Sequence, residues 1–278
     1  MSAKTVLITG CTDGGIGSGL AKVFAARGLR VIAAARSVPK MSGLAALPNI
    51  SLMELDIRSA DSIAAAFKTV SAETGGSLDY LVNNAGVAYR CATLEVDDRM
   101  ARDVFDVNLW GTVDMCRAFA PMVIKAKGTI VNVSSLGGVG VPMLWSSMYS
   151  ASKAAVATYS DTLRLELSAF GVKVLVVLPA AVETNMNNAR TLAPATLPKE
   201  GSIFKPAEKH IAKATIYERM SVDKFSEKVV GDVLSGKTGW TWRGAFATRC
   251  WLMMRFLPQA ALDKLVTINQ GLDLVAKD

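Results

Sequence analysis

Six short runs of nearly unbroken aliphatic residues, separated by longer stretches with apolar residues at helical spacing, constrain this chain more than any other feature. The runs are Thr5 to Thr9, Arg30 to Ala34, Ser51 to Leu55, Tyr80 to Asn83, Thr129 to Val133 and Lys173 to Leu178. Strands alternating with helices call for a parallel sheet, because each connection must cross back before the next strand runs in the same direction. The runs are continuous in Val, Ile and Leu, the pattern of strands covered on both faces. Gly17 to Arg27, Ser59 to Thr74, Asp98 to Ala126 and Ser147 to Phe170 supply the crossover helices, with Pro121 the one proline inside them. The predicted fold class is α/β: a doubly wound parallel sheet with helices on both faces and a variable C-terminal region. A length of 278 residues suits one such unit, so 1–278 reads as a single domain. After Pro179 the pattern changes, with Asn185 to Pro206 rich in Asn, Pro, Thr and Ala. Residues 185–278 are therefore expected to form a lid and a C-terminal extension.

Composition narrows the function classes. With 51% hydrophobic and 20% charged residues the chain has ample material for a core, which excludes disorder. Cys11, Cys91, Cys116 and Cys250 are widely spaced with no CxxC pair, so neither a zinc site nor a disulfide framework is expected, and a reducing intracellular compartment fits. The first strand begins by Thr5, which leaves no room for a secretory signal. Trp251 to Leu257, the greasiest late segment, carries Arg255, and no apolar run is long enough to span a bilayer. The net charge is +7, of which residues 190–278 supply +5 from 14 Lys/Arg against 9 Asp/Glu. These basic residues are spread singly and no nucleic-acid motif accompanies them, so no nucleic-acid partner is expected. His210 is the only histidine, which removes a serine triad and a histidine metal site on inventory alone. It reads as a surface residue.

Four motifs carry chemistry. Thr9-Gly10-Cys11-Thr12-Asp13-Gly14-Gly15-Ile16-Gly17 follows the first strand and opens the first helix. Glycines there let the backbone approach a pyrophosphate, and the unpaired N–H groups of a helix start favour its charge. The second strand ends Ala33-Ala34-Ala35-Arg36-Ser37, with no acid to hold ribose hydroxyls and an arginine able to pair with a 2′-phosphate, which favours NADP over NAD. Asn83-Asn84-Ala85-Gly86 closes the fourth strand with amides and a glycine, a turn that also suits the edge of a cofactor cleft. Tyr149 and Lys153 stand four residues apart, on one face of a helix. A phenol works as an acid or base near neutrality only when a neighbour shifts its pKa, and a lysine can do that. Taken alone, a Tyr and Lys at this spacing are more often a solvated helix face.

From Lys4 to about Thr184 the chain resembles the short-chain dehydrogenase/reductase family. The glycine loop, Asp56, Asn83 to Gly86, Asn108 in Val107-Asn108-Leu109-Trp110-Gly111, Ser134-Ser135, Tyr149 to Lys153 and Pro179 to Thr184 appear in that family's order. The resemblance implies a Rossmann-like fold and hydride transfer between NADPH/NADP and a small-molecule carbonyl or alcohol. It implies Tyr149 as general acid or base, Ser135 as the group orienting the carbonyl, Lys153 lowering the tyrosine pKa and holding the ribose, and Asn108 anchoring a proton-relay water. It assigns Gly10, Thr12, Gly15 and Ile16 to the pyrophosphate loop, Arg36 to the 2′-phosphate, and Asp56 and Ile57 to the adenine. Asn83, Ala85 and Gly86 would line the cleft, and Pro179, Val182 and Thr184 the nicotinamide end. It also implies a homodimer or homotetramer.

Three departures stand out. The glycine loop is one residue longer than the family's, which leaves open whether Gly14 or Gly15 meets the pyrophosphate. Ser135 precedes Tyr149 by fourteen positions rather than thirteen, which keeps Ser134 in play and places the extra residue between Pro142 and Met148. Pro179-Ala180 replaces the usual Pro-Gly. The loop from Thr9 to Gly17 and the segment Trp240-Thr241-Trp242-Arg243-Gly244 look most like fungal 1-acyldihydroxyacetone-phosphate reductases, so a lipid ketone and another hydrophobic ketone, such as a secondary metabolite, are both open. So are alcohol oxidation and cofactor binding without turnover. Aromatics interspersed with Arg243, Arg249 and Arg255 across 240–257 suit either packing or a hydrophobic entrance touching a membrane. The expected location is cytoplasmic, or peripheral on an internal membrane or lipid droplet.

Overall fold

A computed structural model describes residues 3–184, 195–212 and 218–275. The strands are β1 (Thr5–Thr9), β2 (Arg30–Ala35), β3 (Ile50–Glu54), β4 (Tyr80–Asn83), β5 (Thr129–Val133), β6 (Lys173–Pro179) and β7 (Gly239–Arg243). The main helices are α1 (Ile16–Ala26), α2 (Ser42–Ala45), α3 (Ala60–Thr74), α4 (Asp98–Phe105), α5 (Gly111–Ala126) and α6 (Ser147–Ser168). They continue with α7 (Glu208–Ala212), α8 (Val222–Leu234), α9 (Ala247–Phe256), α10 (Gln259–Thr267) and α11 (Leu272–Val275).

All seven strands are parallel, in the order β3-β2-β1-β4-β5-β6-β7. The six expected strands are present, shifted by at most one residue at their ends. The chain runs outward from β1 in one direction and then, from β4, in the other. The crevice above the carboxyl ends of β1 and β4 is thus the switch point at which such sheets bind ligands. β7 was not anticipated: its Gly-Trp-Thr-Trp-Arg sequence lacks an aliphatic run because it is an edge strand beside β6. Within the stretch read as lid and extension, β7 belongs to the sheet and α8 to its covering layer.

Two apolar layers sandwich the sheet. On one face Leu20 and Phe24 of α1 meet Phe225, Val229 and Val230 of α8 under Val6, Ile8, Val31 and Val177. On the other, Ile63, Val70, Met115, Phe119, Val123 and Leu167 from α3, α5 and α6 cover Leu7, Leu81 and Ile130. Each fully buried Leu or Phe contributes about 1.5–3 kcal/mol. Ser59 and Asp97 cap α3 and α4: the Ser59 hydroxyl accepts from the Ser62 N–H at 3.2 Å and Asp97 from the Met100 N–H at 2.9 Å.

The expected helix from 98 to 126 is interrupted. Asp106–Trp110 forms a π-helical turn between α4 and α5, which rotates Asn108 into the interior, where it is fully buried. A smaller apolar cluster joins four distant segments: Ala92, Trp145, Ala207 and Ile211, with Leu144, Phe204 and Val275 against them. Trp145 has left-handed backbone (φ 61°), and its indole N–H donates to the Gln270 carbonyl at 3.0 Å. The buried Arg90 guanidinium donates to the His210 and Ile211 carbonyls at 2.9 and 3.0 Å. His210 is a half-buried surface residue with the Gly271 backbone against its ring.

Candidate functional site

The glycine loop sits at the switch point. Gly15 is the N-cap of α1 with extended backbone, no side chain caps that end, and the first turn holds no acid, so its N–H groups are left for an anion. A β-carbon on Gly17 would stand 2.5 Å from the Gly10 carbonyl oxygen and 2.6 Å from Asn84 Nδ2, so only glycine allows the helix to start this close to β1. The extra loop residue makes a turn from Thr12 to Gly15, with Gly14 at its left-handed corner (φ 73°). Gly15 and Ile16, not Gly14, therefore form the helix start.

Thr9 and Asn84 set the width of the cleft, roles that sequence reading missed. The Thr9 hydroxyl accepts from the Asn84 and Ala85 N–H groups, both at 3.1 Å, and Asn84 Nδ2 donates to the Thr9 and Gly10 carbonyls at 2.9 and 3.1 Å. Asn83 points elsewhere: its amide donates to Asn132 Oδ1 at 2.8 Å and Cys116 Sγ at 3.2 Å, inside the layer beneath the sheet. Alternation along a strand sends neighbouring amides to opposite faces, and only Asn84 reaches the loop.

At the far end of the cleft Thr12, Arg36, Ser37 and Lys40 line an open hollow of about 330 Å³. Lys40 is a second cation that the sequence reading did not single out. Asp56 accepts from the Arg58 N–H at 3.0 Å and pairs with its guanidinium at 3.3 Å. Burial raises the Asp56 pKa, but Arg58 and the nearby Arg36 outweigh it and hold the carboxyl below its usual value. Ile57 is buried beneath Gly111.

Tyr149, Lys153, Ser135 and Asn108 converge on the other side of the crevice. A β-carbon on Gly138 would lie 2.5 Å from the Lys153 carbonyl carbon, so the loop after β5 closes tightly on α6. Ser135, whose hydroxyl accepts from the Gly137 N–H at 3.2 Å, is near enough to the Tyr149 phenol to favour its ionised form. Ser134 is committed instead to the Lys153 carbonyl, at 2.7 Å, which separates the two serines. Asn108 Nδ2 donates to the Val87 carbonyl (3.0 Å) and the Ser152 hydroxyl (2.9 Å), and its Oδ1 accepts from the Val87 N–H (2.8 Å). The Ser152 hydroxyl in turn donates to the Tyr149 carbonyl at 2.7 Å. Asn108 thus locks the segment after β4 to the turn of α6 that carries both Tyr149 and Lys153.

Lys153 is buried, 4% exposed, with Nζ donating to the Val133 carbonyl at 2.9 Å. Burial pushes its pKa down to about 8. Burial also raises the Tyr149 pKa, a shift that the nearby Ser135 hydroxyl only partly offsets. The phenol therefore keeps its proton at neutral pH and can give it to an acceptor held by Ser135.

Toward the C-terminus, Pro179 ends β6 and Val182 and Thr184 follow it, with the Glu183 N–H donating to the Met220 carbonyl at 2.9 Å. The Ala180 N–H donates to the Arg243 carbonyl at 2.7 Å. One side of α9 faces the catalytic loop: Met254 Cε lies 3.0 Å from where a β-carbon on Gly140 would stand, and Cys250 packs with Leu136. Its other side exposes Trp251, Leu252 and Phe256. Among the described residues no helix is long and apolar enough to cross a membrane, and no His/Cys/Asp/Glu group could hold a metal. Residues 185–194 of the expected lid lie outside the described residues.

Comparison with known proteins agrees with this geometry. The short chain dehydrogenase family model matches residues 4–194. A short-chain dehydrogenase from Penicillium crustosum is 42% identical over 263 residues, covering 93% of this chain and 95% of that protein. The NADPH-dependent 1-acyldihydroxyacetone phosphate reductase of Schizosaccharomyces pombe is 41% identical over 80% of this chain and 73% of its own. A Burkholderia cenocepacia short chain dehydrogenase solved in complex with NADP is 28% identical with a TM-score of 0.75, covering 96% of this chain and 98% of that one. Family model, relatives and solved fold converge with the serine, tyrosine and lysine arrangement: the chain belongs to the short-chain dehydrogenase family of oxidoreductases.

Proposed function

We propose that the protein reduces a ketone on a hydrophobic substrate with NADPH, with Tyr149 as proton donor. The observation that carries the reading is the seat of Tyr149 on α6: Ser152 ties its carbonyl to the buried Asn108, Lys153 lies one turn on with Nζ on the Val133 carbonyl, and burial raises the phenol above its ordinary pKa. Ketone reduction uses the protonated phenol as donor, and alcohol oxidation runs the same steps in reverse. NADPH, bound across the switch point, would supply the hydride. Its fit rests on the open start of α1, the missing β-carbon at Gly17 and the basic hollow at Arg36 and Lys40. The NADP complex of the Burkholderia protein and the NADPH named for the fission yeast reductase support the same cofactor.

In this mechanism Ser135 and Tyr149 hold the carbonyl oxygen between two hydroxyls. Tyr149 gives its proton as the carbon is reduced, and Lys153 stabilises the resulting phenolate through its charge. Asn108 holds the backbone from which a water can return a proton to that end of α6. On the substrate side, α9 contributes the wall over Gly140. The exposed aromatic side of α9 supports a lipophilic substrate and an entrance able to rest on a membrane surface. A panel of hydrophobic ketones followed by loss of NADPH absorbance tests this. Tyr149→Phe should lower turnover about 100-fold or more with NADPH affinity retained. Near-wild-type turnover in the folded variant would reject Tyr149 as donor, and tight NADPH binding with no turnover on any ketone would favour a non-catalytic role.

A further inference from the structure

The lengthened glycine loop does more than turn. Its corner residue Asp13 is tied by three hydrogen bonds to the segment after β2. The Asp13 N–H donates to the Lys40 carbonyl at 2.9 Å, and Asp13 Oδ2 accepts from the Ser42 hydroxyl at 3.1 Å and from the Gly43 N–H at 3.0 Å. That segment is a single 3₁₀ turn, Val38–Met41, followed by the four-residue α2, too short to hold its own shape. It presents Lys40 to the hollow that Thr12 and Arg36 also line.

We propose that Asp13 is a positioning residue for cofactor selectivity: it holds the turn after β2 against the glycine loop so that Lys40 joins Arg36 around the 2′-phosphate of NADPH. This rests on the NADPH reading above. Fixing the lysine's backbone in advance reduces the ordering cost of engaging the phosphate. Arg36 offers a planar fork and Lys40 a point charge, so the two can meet different oxygens of one phosphate. A carboxylate near a phosphate is repulsive by charge alone, and this gives the proposal a distinguishing sign. Removing Asp13 should weaken NADPH binding if it acts by position and strengthen it if it acts by charge.

The experiment is a fluorescence titration of NADPH and NADH into wild type and the variants Asp13→Ala, Asp13→Asn, Ser42→Ala, Lys40→Ala and Asp13→Ala/Lys40→Ala, each checked for folding by circular dichroism. Asp13→Ala should weaken NADPH about three- to tenfold and leave NADH within about twofold. Asp13→Asn, which keeps an oxygen acceptor for Ser42 and Gly43, should restore NADPH affinity. The double variant should bind NADPH no worse than Lys40→Ala, because Asp13 acts through Lys40. Tighter NADPH binding in Asp13→Ala, equal losses for both cofactors, or fully additive losses in the double variant would overturn the proposal. If Asp13→Ala does not fold, Ser42→Ala decides: a loss confined to NADPH supports the clamp and an unchanged ratio rejects it. Wild type binding both cofactors equally would reject the NADPH reading itself, whereas a wild-type preference untouched by Asp13→Ala would reject only Asp13's part.

Discussion

Lys153 makes the stability of the unliganded protein depend on pH in an unusual direction. A base whose folded pKa lies below its unfolded value penalises the fold while it is protonated. With Lys153 pushed down to about 8 from an ordinary 10.5, the penalty is complete below pH 8 and disappears above 10.5. The gap corresponds to about 3 kcal/mol, and the part recovered between about pH 7.5 and about pH 9.5 is about 2 kcal/mol. Other groups oppose this in the same window. The buried thiols of Cys11 and Cys116 are each pushed up to about 12, so alkali ionises them only in the unfolded chain. Each lowers stability by about 1 kcal/mol at the upper pH, enough to flatten the wild-type profile. The clean measurement is therefore a difference. Urea unfolding of wild type and Lys153→Met at both pH values shares every thiol and leaves Lys153 alone. Met loses the hydrogen bond to the Val133 carbonyl at either pH, so that term cancels. The stability of wild type relative to the variant should rise by about 2 kcal/mol from the lower to the upper pH. A difference that does not change with pH would refute a depressed lysine.

Arg36→Asp should weaken or reverse a preference for NADPH by removing a phosphate partner and adding repulsion, each 1.4 kcal/mol being about tenfold in affinity; wild-type affinities that are equal for the two cofactors would remove Arg36 from the site. Changing Trp251, Met254 and Phe256 together to Ser should reduce both flotation with anionic liposomes and the preference for long-chain over short-chain ketones. If neither changes in the folded variant, α9 is packing and the hydrophobic-entrance reading falls.

The sheet was legible because β1, β2, β4, β5 and β6 are covered on both faces and must be aliphatic throughout. β7 was not, because an edge strand can use Trp and Thr in place of a Val-rich run. That Asn108, Ser135, Tyr149 and Lys153 belong together was suggested by residue order, but the partners of each were not. Nothing in Ser134-Ser135 says which hydroxyl turns down onto the Lys153 carbonyl, and nothing in Asn83-Asn84 says which amide reaches the loop. Strand alternation decides the second case only once the register is known. The π-helical turn at Asn108 is silent in a pattern that reads as continuous helix, since one extra residue in a turn leaves the apolar spacing nearly intact. Lys40 was not legible because its place in the cleft depends on how the loop at Asp13 folds against the turn after β2, which residue spacing alone does not encode.

The covering of α1 by α8 has a consequence for how the molecule is made. Arg27 and Glu227, which pair at 2.7 Å across these helices, are 200 residues apart in sequence. A chain emerging from the ribosome builds β1, the glycine loop and α1 first, yet Leu20 and Phe24 have no finished cover until Phe225 and Val229 arrive. Contacts this distant slow folding and leave apolar surface open during synthesis. The half of the sheet that carries the glycine loop is therefore completed late, by residues well beyond Lys153, and a chain cut before Val222 would carry Asn108, Ser135, Tyr149 and Lys153 with one face of its first helix bare.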